Sequence, residues 1–367
     1  MKHVLSRPRA SVLLACLLVT TAVAALAQAE RIATGGAAGA YQAFPDATRL
    51  RNGDIVAVFY AGDAHVTRPS AAYPNAGRIC LTRSRDEGRT WSEAVVVYDD
   101  PDDNRDPHVS QLADGTLIVS FFNLRLEPKR GEVRIVRSRD GGNTWDKTSQ
   151  VVAKDWFCSA PVRQLADGAL LLPVYTVHEV TSYRAGFIRS TDGGRTWLPI
   201  VRVGQESDFM VNETDVVALR DGSLLAALRG YAKENIPMQT TRSRDGGRTW
   251  SAFASGGFLA DAPSFTRLGS GEILLSYRGY APDRAWTSAY TAFRVSRDEG
   301  RTWEGPYRVA RKHGAYPATV ELRDGTILMV YYEEGSASTI RAARFRKPAP
   351  ATVPFAEPVD VELLTLR

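Results

Sequence analysis

Side chains able to bind or transform a polar ligand recur at two kinds of position in this chain. Some stand shortly before a tetrapeptide of the Leu-x-Asp-Gly kind, and others follow the apolar run that comes after it. The first set is Asp46, Arg105, Asp106, His108, Glu213 and Tyr316, and the second is Asp63, His65, Arg229 and Arg278. Carboxylates, arginines, histidines and aromatic rings that converge are typical of a site for a polar ligand such as a carbohydrate. Taken singly, each could equally be a loop residue satisfied by its neighbours.

The elements that must position these side chains are repeated. Six short turns with Asn-Gly, Asp-Gly or Ser-Gly are present, at residues 50–53, 112–115, 165–168, 219–222, 268–271 and 322–325. Asn-Gly and Asp-Gly pairs favour tight β-hairpin turns. Each turn is followed by an apolar run rich in β-branched and aromatic residues, which is too short for a helix. These runs are therefore predicted to be buried strands.

A second repeat, Ser-x-Asp-x-Gly-x-Thr-Trp, occurs five times. The copies begin at Ser84, Ser138, Ser190, Ser243 and Ser296, at steps of 54, 52, 53 and 53 residues. Asp and Gly at this spacing favour a tight turn, because Asp can accept nearby backbone hydrogen bonds and Gly tolerates positive φ. The Trp supplies a large apolar surface that can pack beneath the turn. So regular a period indicates one supersecondary unit copied round an array.

The two repeats together predict an all-β fold, a six-bladed β-propeller of four-stranded antiparallel blades. Residues 30–367 are predicted to form it as a single domain. Six hairpins but only five copies of the second repeat make the last blade irregular, so its outer strand is expected from a chain terminus. Residues 32–34 and 359–366 are the two candidates. Such closure removes an open sheet edge.

The strand order within a blade also predicts where the candidate side chains gather. If the strands of a blade are named A to D in chain order, the A–B and C–D turns lie at one end and the other connections lie at the opposite end. Both repeated turns therefore lie at the same end of the propeller. The candidate side chains precede strand A or follow strand B, so we expect them at the other end, around the mouth of the central channel.

The Ser-x-Asp-x-Gly-x-Thr-Trp repeat resembles the Asp-box of the sialidase superfamily. Two longer segments extend the resemblance. Residues 212–229 resemble the sialidase segment that carries the glutamate partner of the nucleophile and a substrate-binding arginine, and residues 315–333 resemble the segment with the tyrosine nucleophile. In architecture the resemblance covers nearly the whole chain after residue 29, whereas its site matches lie in blades four and six.

The resemblance implies roles for particular residues. Tyr316 would attack the anomeric carbon of a sugar, Glu213 would accept the proton of Tyr316, and Arg229 would bind an acidic group. A phenol has an ordinary pKa of about 10 and is a poor nucleophile without a neighbouring base. A neutral nucleophile suits a sugar whose own carboxylate would repel Asp or Glu, and sialidases are the exception to the paired carboxylates of other glycosidases.

Further site residues follow from the same resemblance. Arg278 best matches a second substrate-binding arginine, with Arg284 as its substitute. Asp63 lies where the family keeps the acid that protonates the leaving oxygen. His65 stands beside Asp63, and which of the two is the acid is left open. The remaining substrate-binding candidates at the mouth are Asp46, His65, Arg105, Asp106 and His108.

One departure from the family lies in blade one. Sialidases place an arginine two residues before the proline of a Tyr-Arg-Ile-Pro phrase, whereas this chain has Ala43 before Phe44-Pro45. An alanine cannot bind a carboxylate, and bidentate recognition by arginine is hard to replace. Arg105 of blade two is the candidate replacement. This departure bears on whether sialic acid is the substrate more than on whether the protein cleaves glycosides.

The resulting prediction is an exported glycoside hydrolase of the sialidase superfamily. It would be an exo-acting, retaining, exo-α-sialidase-like enzyme for terminal acidic sugars, and its partner would be a glycan or glycoconjugate. Two alternatives stay open. One is a polysaccharide lyase or another glycosidase that uses His108, Asp106, Asp63 or His65 in the same mouth. The other is a glycan-binding protein without catalysis, which the missing arginine favours and the Tyr316 and Glu213 matches oppose.

Residues 1–29 are predicted to be a secretory signal peptide. Lys2, Arg7 and Arg9 precede an apolar run that ends in the small-residue cleavage site Ala25-Leu26-Ala27. The run is short for a membrane span of about 20 residues, so no stable membrane insertion is expected after cleavage. The apolar run continues well past Cys16, which argues against a lipoprotein site. A secreted or periplasmic location follows.

Charge and cysteine content exclude several other classes. Cleavage would lower the formal net charge from +5 to +2, so bulk charge predicts no nucleic-acid partner. The sequence has no zinc-type His/Cys spacing, EF-hand loop or glycine-rich phosphate loop, so no metal or other cofactor is predicted. Cys80 and Cys158 fall in different repeats and are expected to be strand thiols without a disulfide.

Overall fold

The computed structural model describes residues 28–365, apart from 127–128, 177–183, 205–211, 232–234, 312, 336 and 351–356. The signal peptide predicted for residues 1–29 lies almost wholly outside the described residues and stays a prediction. The regular secondary structure of the described residues consists of β-strands and one short 3-10 helix, Trp286–Ser288.

The strands follow one another in the order that the repeats predict. The first half of the chain contains β1 (Glu30–Arg31), β2 (Tyr41–Arg49), β3 (Ile55–Gly62), β4 (Arg78–Ser84), β5 (Val95–Tyr98), β6 (Asp103–Gln111), β7 (Leu117–Leu126), β8 (Lys129–Ser138), β9 (Gln150–Lys154), β10 (Arg163–Gln164), β11 (Leu170–Tyr175), β12 (Ala185–Ser190) and β13 (Val201–Val203). The second half contains β14 (Thr214–Ala218), β15 (Leu224–Leu228), β16 (Gln239–Ser243), β17 (Ala254–Ser255), β18 (Asp261–Arg267), β19 (Ile273–Gly279), β20 (Tyr290–Ser296), β21 (Glu304–Ala310), β22 (Gly314–Glu321), β23 (Thr326–Glu333), β24 (Thr339–Arg346), β25 (Val359–Asp360) and β26 (Leu363–Leu364).

These strands form the six blades of a β-propeller, which confirms the predicted fold class. Blades one to five are β2–β5, β6–β9, β10–β13, β14–β17 and β18–β21, each ordered as in the chain. Every pair of consecutive strands within a blade is antiparallel. Strand β25 adds to the edge of blade five, where it runs parallel to β21.

Both chain termini close the sixth blade. Its inner strands are β22, β23 and β24, and β24 carries two short antiparallel partners at its outer edge. Strand β1 pairs with β24 at Ala342 and Arg341, and β26 pairs with β24 at Phe345 and Arg344. The sequence left residues 32–34 and 359–366 as alternatives. The two termini in fact share the edge, because each supplies only two paired residues.

The core is divided among the six junctions between neighbouring blades. At each junction apolar side chains of facing strands make one buried cluster, such as that of Val58 and Leu81 in blade one with Val119 and Phe121 in blade two. The tryptophans of the five Ser-x-Asp repeats pack against these clusters, each on the side of the preceding blade: Trp91, Trp145, Trp197, Trp250 and Trp303. The repeat therefore joins blades as well as closing a turn.

Both repeated turns lie at one end of the propeller, as predicted. Glu87, inside the first Ser-x-Asp repeat, accepts a hydrogen bond from Arg49 Nη1 at 2.7 Å and another from the backbone N–H of Arg323 at 3.1 Å. Arg323 belongs to the hairpin turn of blade six, so the contact crosses from one blade to the next. In blade five, Glu299 likewise accepts from the N–H of Arg220 in blade four at 2.9 Å.

Strand A carries a β-bulge in four of the blades. Each bulge is an X-Pro pair, and X has positive φ: 52° at Phe44, 48° at Asp106, 47° at Ala262 and 47° at Tyr316. The register shifts by one residue at each of them. Proline cannot donate to the ladder, so a bulge accommodates it well. A bulge also redirects the side chain that it carries, which here is the residue before the proline.

Two further predictions concern the membrane and the cysteines. No helix among the described residues has the length and apolar character needed to cross a membrane. Cys80 and Cys158 are free thiols and both are buried. Burial raises the pKa of each thiol well above its ordinary value, which makes both poor nucleophiles.

Candidate active site

The six blades contribute equivalent residues to a ring at the mouth of the channel. The ring residue of each blade lies six positions before the leucine of the Leu-x-Asp-Gly or Leu-x-Ser-Gly turn, and the ring consists of Phe44, Asp106, Ser159, Glu213, Ala262 and Tyr316. Its members contact one another across the blades. The rings of Phe44 and Tyr316 lie 5.2 Å apart, and the Ser159 hydroxyl donates to Asp106 Oδ2 at 3.2 Å.

Tyr316 and Glu213 meet directly in this ring. The Tyr316 hydroxyl donates a hydrogen bond to Glu213 Oε1, although the two residues are 103 positions apart in the chain. Arg229 Nη1 lies 2.8 Å from the same oxygen, and the backbone N–H of Ala262 donates to Glu213 Oε2 at 3.0 Å. The Glu213 carboxylate is thus held on both oxygens. Arg229 is held in turn by Asp261, at 2.8 Å from Nη2.

Burial has a clear electrostatic consequence for Tyr316. Burial raises the pKa of the Tyr316 phenol well above its ordinary value, and the neighbouring Glu213 carboxylate raises it further. The phenolate is therefore disfavoured, and the phenol keeps its proton until a base removes it. Glu213 Oε1 is the hydrogen-bond acceptor at the phenol and is correctly placed to be that base.

Arg278 lies on the other side of Tyr316. Its guanidinium carbon is 5.4 Å from the centre of the Tyr316 ring, and its side chain is buried. Arg278 Nη2 contacts the Tyr332 hydroxyl at 3.2 Å and Glu334 Oε2 at 3.4 Å. Arg229 and Arg278 therefore flank the candidate nucleophile, and the binding of substrate by these two arginines stays a prediction. Arg284, named as a substitute for Arg278, is exposed at the tip of a blade-five loop.

Asp106 has the most unusual environment among the carboxylates of the ring. Burial, opposed by the Arg105 guanidinium and reinforced by the Glu213 carboxylate, raises the pKa of Asp106 to about 6. Its Oδ1 has no hydrogen-bond partner among the described residues. Asp106 is therefore partly protonated near neutral pH and can donate as well as accept a hydrogen bond.

Arg105 lies close to Ala43, the position of the missing arginine, but its guanidinium is bound to other protein groups. Ala43 is buried within β2, and the next side chain, Phe44, packs against the Arg105 guanidinium, whose carbon is 4.9 Å from the ring centre. Arg105 Nη1 binds Asp103 Oδ2 at 3.1 Å and also donates to the backbone oxygen of His65. Arg105 is thus already engaged with protein acceptors.

Asp63 and His65 lie on the rim of the mouth, in the loop after β3. Both residues are exposed, and His65 has a side-chain exposure of 52%. His65 Nδ1 lies 3.1 Å from the Tyr41 hydroxyl and 3.5 Å from Glu334 Oε1. An exposed carboxylate on the rim can reach a leaving group that points out of the mouth, which suits the acid role predicted for Asp63.

Asp46 and His108 lie deeper in the channel than the other candidates. They belong to blades one and two and come two residues after the ring position. Asp46 Oδ2 accepts from the backbone N–H of Val109 at 2.8 Å and lies 3.6 Å from His108 Nδ1. Asp46 also lines a cavity of about 560 Å³ that reaches toward the turn end of the propeller. Asp46 and His108 are therefore buried beneath the ring, on its channel side, and are not at the open surface of the mouth.

Some residues of the site were not singled out as site residues from the sequence. Asp261, Tyr332 and Glu334 contact the candidate arginines, and the Tyr280 hydroxyl donates to Asp261. Ser159 and Ala262 could have been found, since they share the fixed offset of Tyr316 and Glu213 from the turn leucine. Asp261 and Glu334 also stand at the two repeated kinds of position, before a turn and after the apolar run, but only spatial contacts reveal which arginines they bind.

Chemically, the site combines a phenol, a base in contact with it, two flanking guanidinium groups and an exposed carboxylate on the rim. No group of three His, Cys, Asp or Glu side chains within the described ranges is placed to hold a metal ion. The side chains that do meet here are of the kinds used in nucleophilic and acid–base chemistry.

The fold and the site define a class, that of six-bladed propellers with a tyrosine, a glutamate and arginines at the channel mouth. Residues 75–329 match the BNR repeat-like domain family, which is more than half of the chain. The chain belongs to this family, and to the BNR-repeat propellers of the sialidase superfamily.

Two comparisons give the degree of similarity in sequence. A sialidase from Micromonospora viridifaciens is 26% identical over 359 residues, which cover 84% of this chain and 53% of that protein. A sialidase from Bacteroides fragilis is 23% identical over 232 residues, which cover 58% of this chain and 41% of that protein. The chain thus spans about half of the length of these curated relatives or less.

A solved structure of similar fold covers almost the same extent of chain. A protein of unknown function from Dyadobacter fermentans superposes with a TM-score of 0.71 at 20% identity, over 87% of this chain and 98% of that one. At this level of identity the similarity establishes the fold alone.

Proposed function

We propose that this protein is a retaining glycosidase that removes a terminal acidic sugar, in the manner of an exo-α-sialidase. The observation that carries the proposal is the hydrogen bond from the Tyr316 hydroxyl to Glu213 Oε1, between two fully positioned side chains. A nucleophile in direct contact with its base is what covalent catalysis requires. The names of the two curated relatives support the same class of substrate.

The first step follows from this contact. Tyr316 Oη bonds to the anomeric carbon while its proton passes to Glu213, and the bond from that carbon to the leaving oxygen breaks. Because burial and Glu213 disfavour a free phenolate, the proton moves as the new bond forms. Asp63 is the proposed donor of a proton to the leaving oxygen, with His65 as the alternative donor on the same rim.

The second step reverses these transfers with water. A water molecule gives a proton to the deprotonated acid, attacks the anomeric carbon and displaces Tyr316 Oη, which recovers its proton from Glu213. Two displacements at the same carbon retain its configuration. Arg229 and Arg278 flank Tyr316 and would bind the acidic group of the sugar, since guanidinium groups bind carboxylates strongly.

The departure at Ala43 limits how that acidic group is bound. Two arginines flank Tyr316, and Arg105 is bound to Asp103 and the backbone oxygen of His65. We therefore propose the acidic sugars as a class, including sialic and uronic acids. We also propose export to the periplasm or the medium, on the strength of the signal peptide in residues 1–29 and the expected glycan substrate.

The decisive experiment is turnover of a panel of aryl glycosides that includes an α-sialoside and uronides. We expect the native protein to release aryl alcohol from an acidic member. Glu213→Gln should lower kcat about 10²–10⁴-fold, as expected for the loss of a general base, and Tyr316→Phe at least as much. Tyr331→Phe is the matched control, because Tyr331 is buried between blades five and six, on the opposite side of β23 from Tyr332.

The possible results separate the proposal from its alternatives. Undiminished turnover by Tyr316→Phe would refute the nucleophile assignment. Products with an unsaturated, ultraviolet-absorbing sugar end would indicate a lyase instead. Saturable glycan binding without any product from the native protein would indicate a glycan-binding function.

A further inference from the structure

The Glu334 carboxylate lies inside the candidate active site, where the mechanism gives it no role. Glu334 directly follows β23 and is 16% exposed in its side chain. Three groups surround its two oxygens. Arg278 Nη2 is 3.4 Å from Oε2, the Tyr332 hydroxyl donates to Oε2 at 3.2 Å, and His65 Nδ1 is 3.5 Å from Oε1. We call the space bounded by Arg278, Tyr332 and His65 the anion niche.

The anion niche adjoins the candidate nucleophile. The Arg278 guanidinium carbon is 5.4 Å from the centre of the Tyr316 ring, and the rings of Tyr332 and Tyr316 are 5.8 Å apart. A carboxylate in the niche therefore lies close to the Tyr316 ring, which carries the oxygen proposed to attack the anomeric carbon. In 2-keto sugar acids the carboxylate is attached to that very carbon, so it would point into this space.

Glu334 occupies the niche as an anion but is held loosely. Burial acts to raise its pKa, yet His65, Arg278 and Tyr332 outweigh burial and keep the pKa of Glu334 below its ordinary value. Its three polar contacts nevertheless measure 3.2–3.5 Å, at the long end for hydrogen bonds to a charged group. Both contacts of Arg229, with Glu213 and with Asp261, measure 2.8 Å.

This contrast shows how firmly each of the two arginines is held by protein groups. Arg229 lies at ideal distance from the carboxylates of Glu213 and Asp261. Arg278 Nη2 is 3.4 Å from Glu334 Oε2, so another carboxylate could bind Arg278 at a shorter distance. A second carboxylate in the niche would be repelled by Glu334. An incoming anionic group that took the place of Glu334 would avoid this repulsion.

We propose that Glu334 is an internal stand-in for the substrate carboxylate. Glu334 fills the anion niche in the free protein, and the substrate carboxylate displaces it on binding. This inference rests on the proposed function, because it assigns the niche to the acidic group of the sugar. Its consequence is competition: the occupied niche weakens the binding of acidic sugars and leaves that of their neutral analogues unchanged. A site filled in this way lowers apparent affinity by the fraction of molecules in which the niche is open.

The test is the binding of free N-acetylneuraminic acid and glucuronic acid by calorimetry, with the methyl ester of each as the neutral probe. Glu334→Gln keeps the size of the side chain and removes its charge. We expect the dissociation constant for at least one acid to fall about fivefold or more, a typical size for coupling between competing ligands. The esters should bind equally to both proteins. Glu334→Ala should behave as Glu334→Gln does, and thermal melts verify that both variants fold.

Glu333→Gln is the matched control. Glu333 is the preceding residue, but its carboxylate pairs with Arg341 at 2.6 Å and is 37% exposed. Its substitution should leave the binding of the acids unchanged. A general effect of charge near the mouth would instead alter both variants alike and would overturn the inference.

Other outcomes also overturn it. If Glu334→Gln bound the acids more weakly, Glu334 would be positioning Arg278 for the substrate. Unchanged affinity, or no binding of either acid to any of the proteins, would likewise refute the stand-in role. These results are independent of turnover, so a protein that binds acids as expected but cleaves nothing would refute the glycosidase proposal alone.

Discussion

At the scale of single residues, charge and burial divide the carboxylates of the mouth into different tasks. Glu213 has both oxygens engaged, by Arg229, by Tyr316 and by a backbone N–H, so it is held in one orientation as a base. Asp106 is buried with one oxygen lacking a partner among the described residues, and its pKa is raised to about 6. The first arrangement favours proton acceptance, and the second lets a fraction of the Asp106 carboxyl groups keep their proton near neutral pH.

Asp106 should make the stability of the protein depend on pH in a definite direction. A buried acid with a raised pKa binds its proton more tightly in the folded chain, so the free energy of unfolding falls as pH rises from about 4 to about 6. A shift of about two pKa units corresponds to about 3 kcal/mol. Asp106→Asn should therefore raise the free energy of unfolding by up to that amount at pH 8, and by little at pH 4.

Urea denaturation at the two pH values measures this difference. Asp155→Asn is a suitable control, because Asp155 has a side chain that is 41% exposed and lies in a loop outside the ring. The control should show no comparable gain at pH 8. If Asp106→Asn were destabilising at both pH values, the carboxylate would be needed for folding and the burial argument would fail.

At the scale of elements, two local devices fix the site and the blade ends. The X-Pro bulge in strand A directs Phe44, Asp106, Ala262 and Tyr316 into the ring. The Ser-x-Asp repeat closes the opposite end, as the fourth copy illustrates. Asp245 accepts from the backbone N–H of Thr249 at 2.9 Å and from its hydroxyl at 2.5 Å, and the Ser243 hydroxyl donates to Asp245 at 2.8 Å. The two devices act at opposite ends of the same blades.

Asp245→Ala should therefore destabilise the protein without altering the site. Burial acts to raise the pKa of Asp245, but the hydrogen bonds from Thr249 and Ser243 lower it to about 2, so the carboxylate is charged when it accepts them. Loss of these bonds from a partly exposed turn should cost about 1–2 kcal/mol. Thermal melting measures the loss, and activity per folded molecule should stay at the native level.

Arg244→Ala tests whether any change in this turn would have the same effect. Arg244 is the exposed residue immediately before Asp245, and its substitution should leave the melting temperature almost unchanged. Equal destabilisation by both substitutions would contradict the role assigned to the carboxylate.

At the scale of the whole molecule, stability depends on junctions between blades and on closure of the ring. Each tryptophan of the Ser-x-Asp repeats packs toward the preceding blade, and glutamates in the first and fifth repeats bond the preceding blade's turn. The ring then closes through β24, whose outer edge is shared by β1 and β26. Val361 and Leu363 of the C-terminal segment also pack against the cluster between blades five and six.

Removal of residues 359–367 should weaken this closure. It deletes β25 and β26, exposes part of the β24 edge and breaks the ion pairs of Asp360 with Arg308 and Arg311. We expect the melting temperature to fall by roughly 3 °C or more, as for a loss of one or two kcal/mol in a large domain. Asp360→Ala in the full chain, which keeps the strands, should give a smaller fall. An unchanged melting temperature after truncation would show that β1 alone closes the blade.

Much of the candidate site could be predicted from the sequence because the blades repeat. A fixed period places equivalent residues at equivalent heights on the channel, so the positions of Tyr316 and Glu213 in one ring follow from their common distance to a turn leucine. The departure at Ala43 was visible for the same reason. Asp261 and Glu334 also lie at such positions, but their pairing with Arg229 and Arg278 could not be predicted from the sequence.

The sequence by itself determined the number of blades, the order of their strands and the end of the propeller at which the site lies, because these follow from local turn chemistry and a regular period. Only the tertiary structure decided which arginine binds which carboxylate, that Arg105 is already engaged, and that both termini share one edge. Those contacts join residues of different blades, and they depend on how the blades are rotated and packed against each other. No pattern along the chain encodes that rotation, so the contacts of Glu334 with Arg278 and His65 became visible only when the blades were assembled.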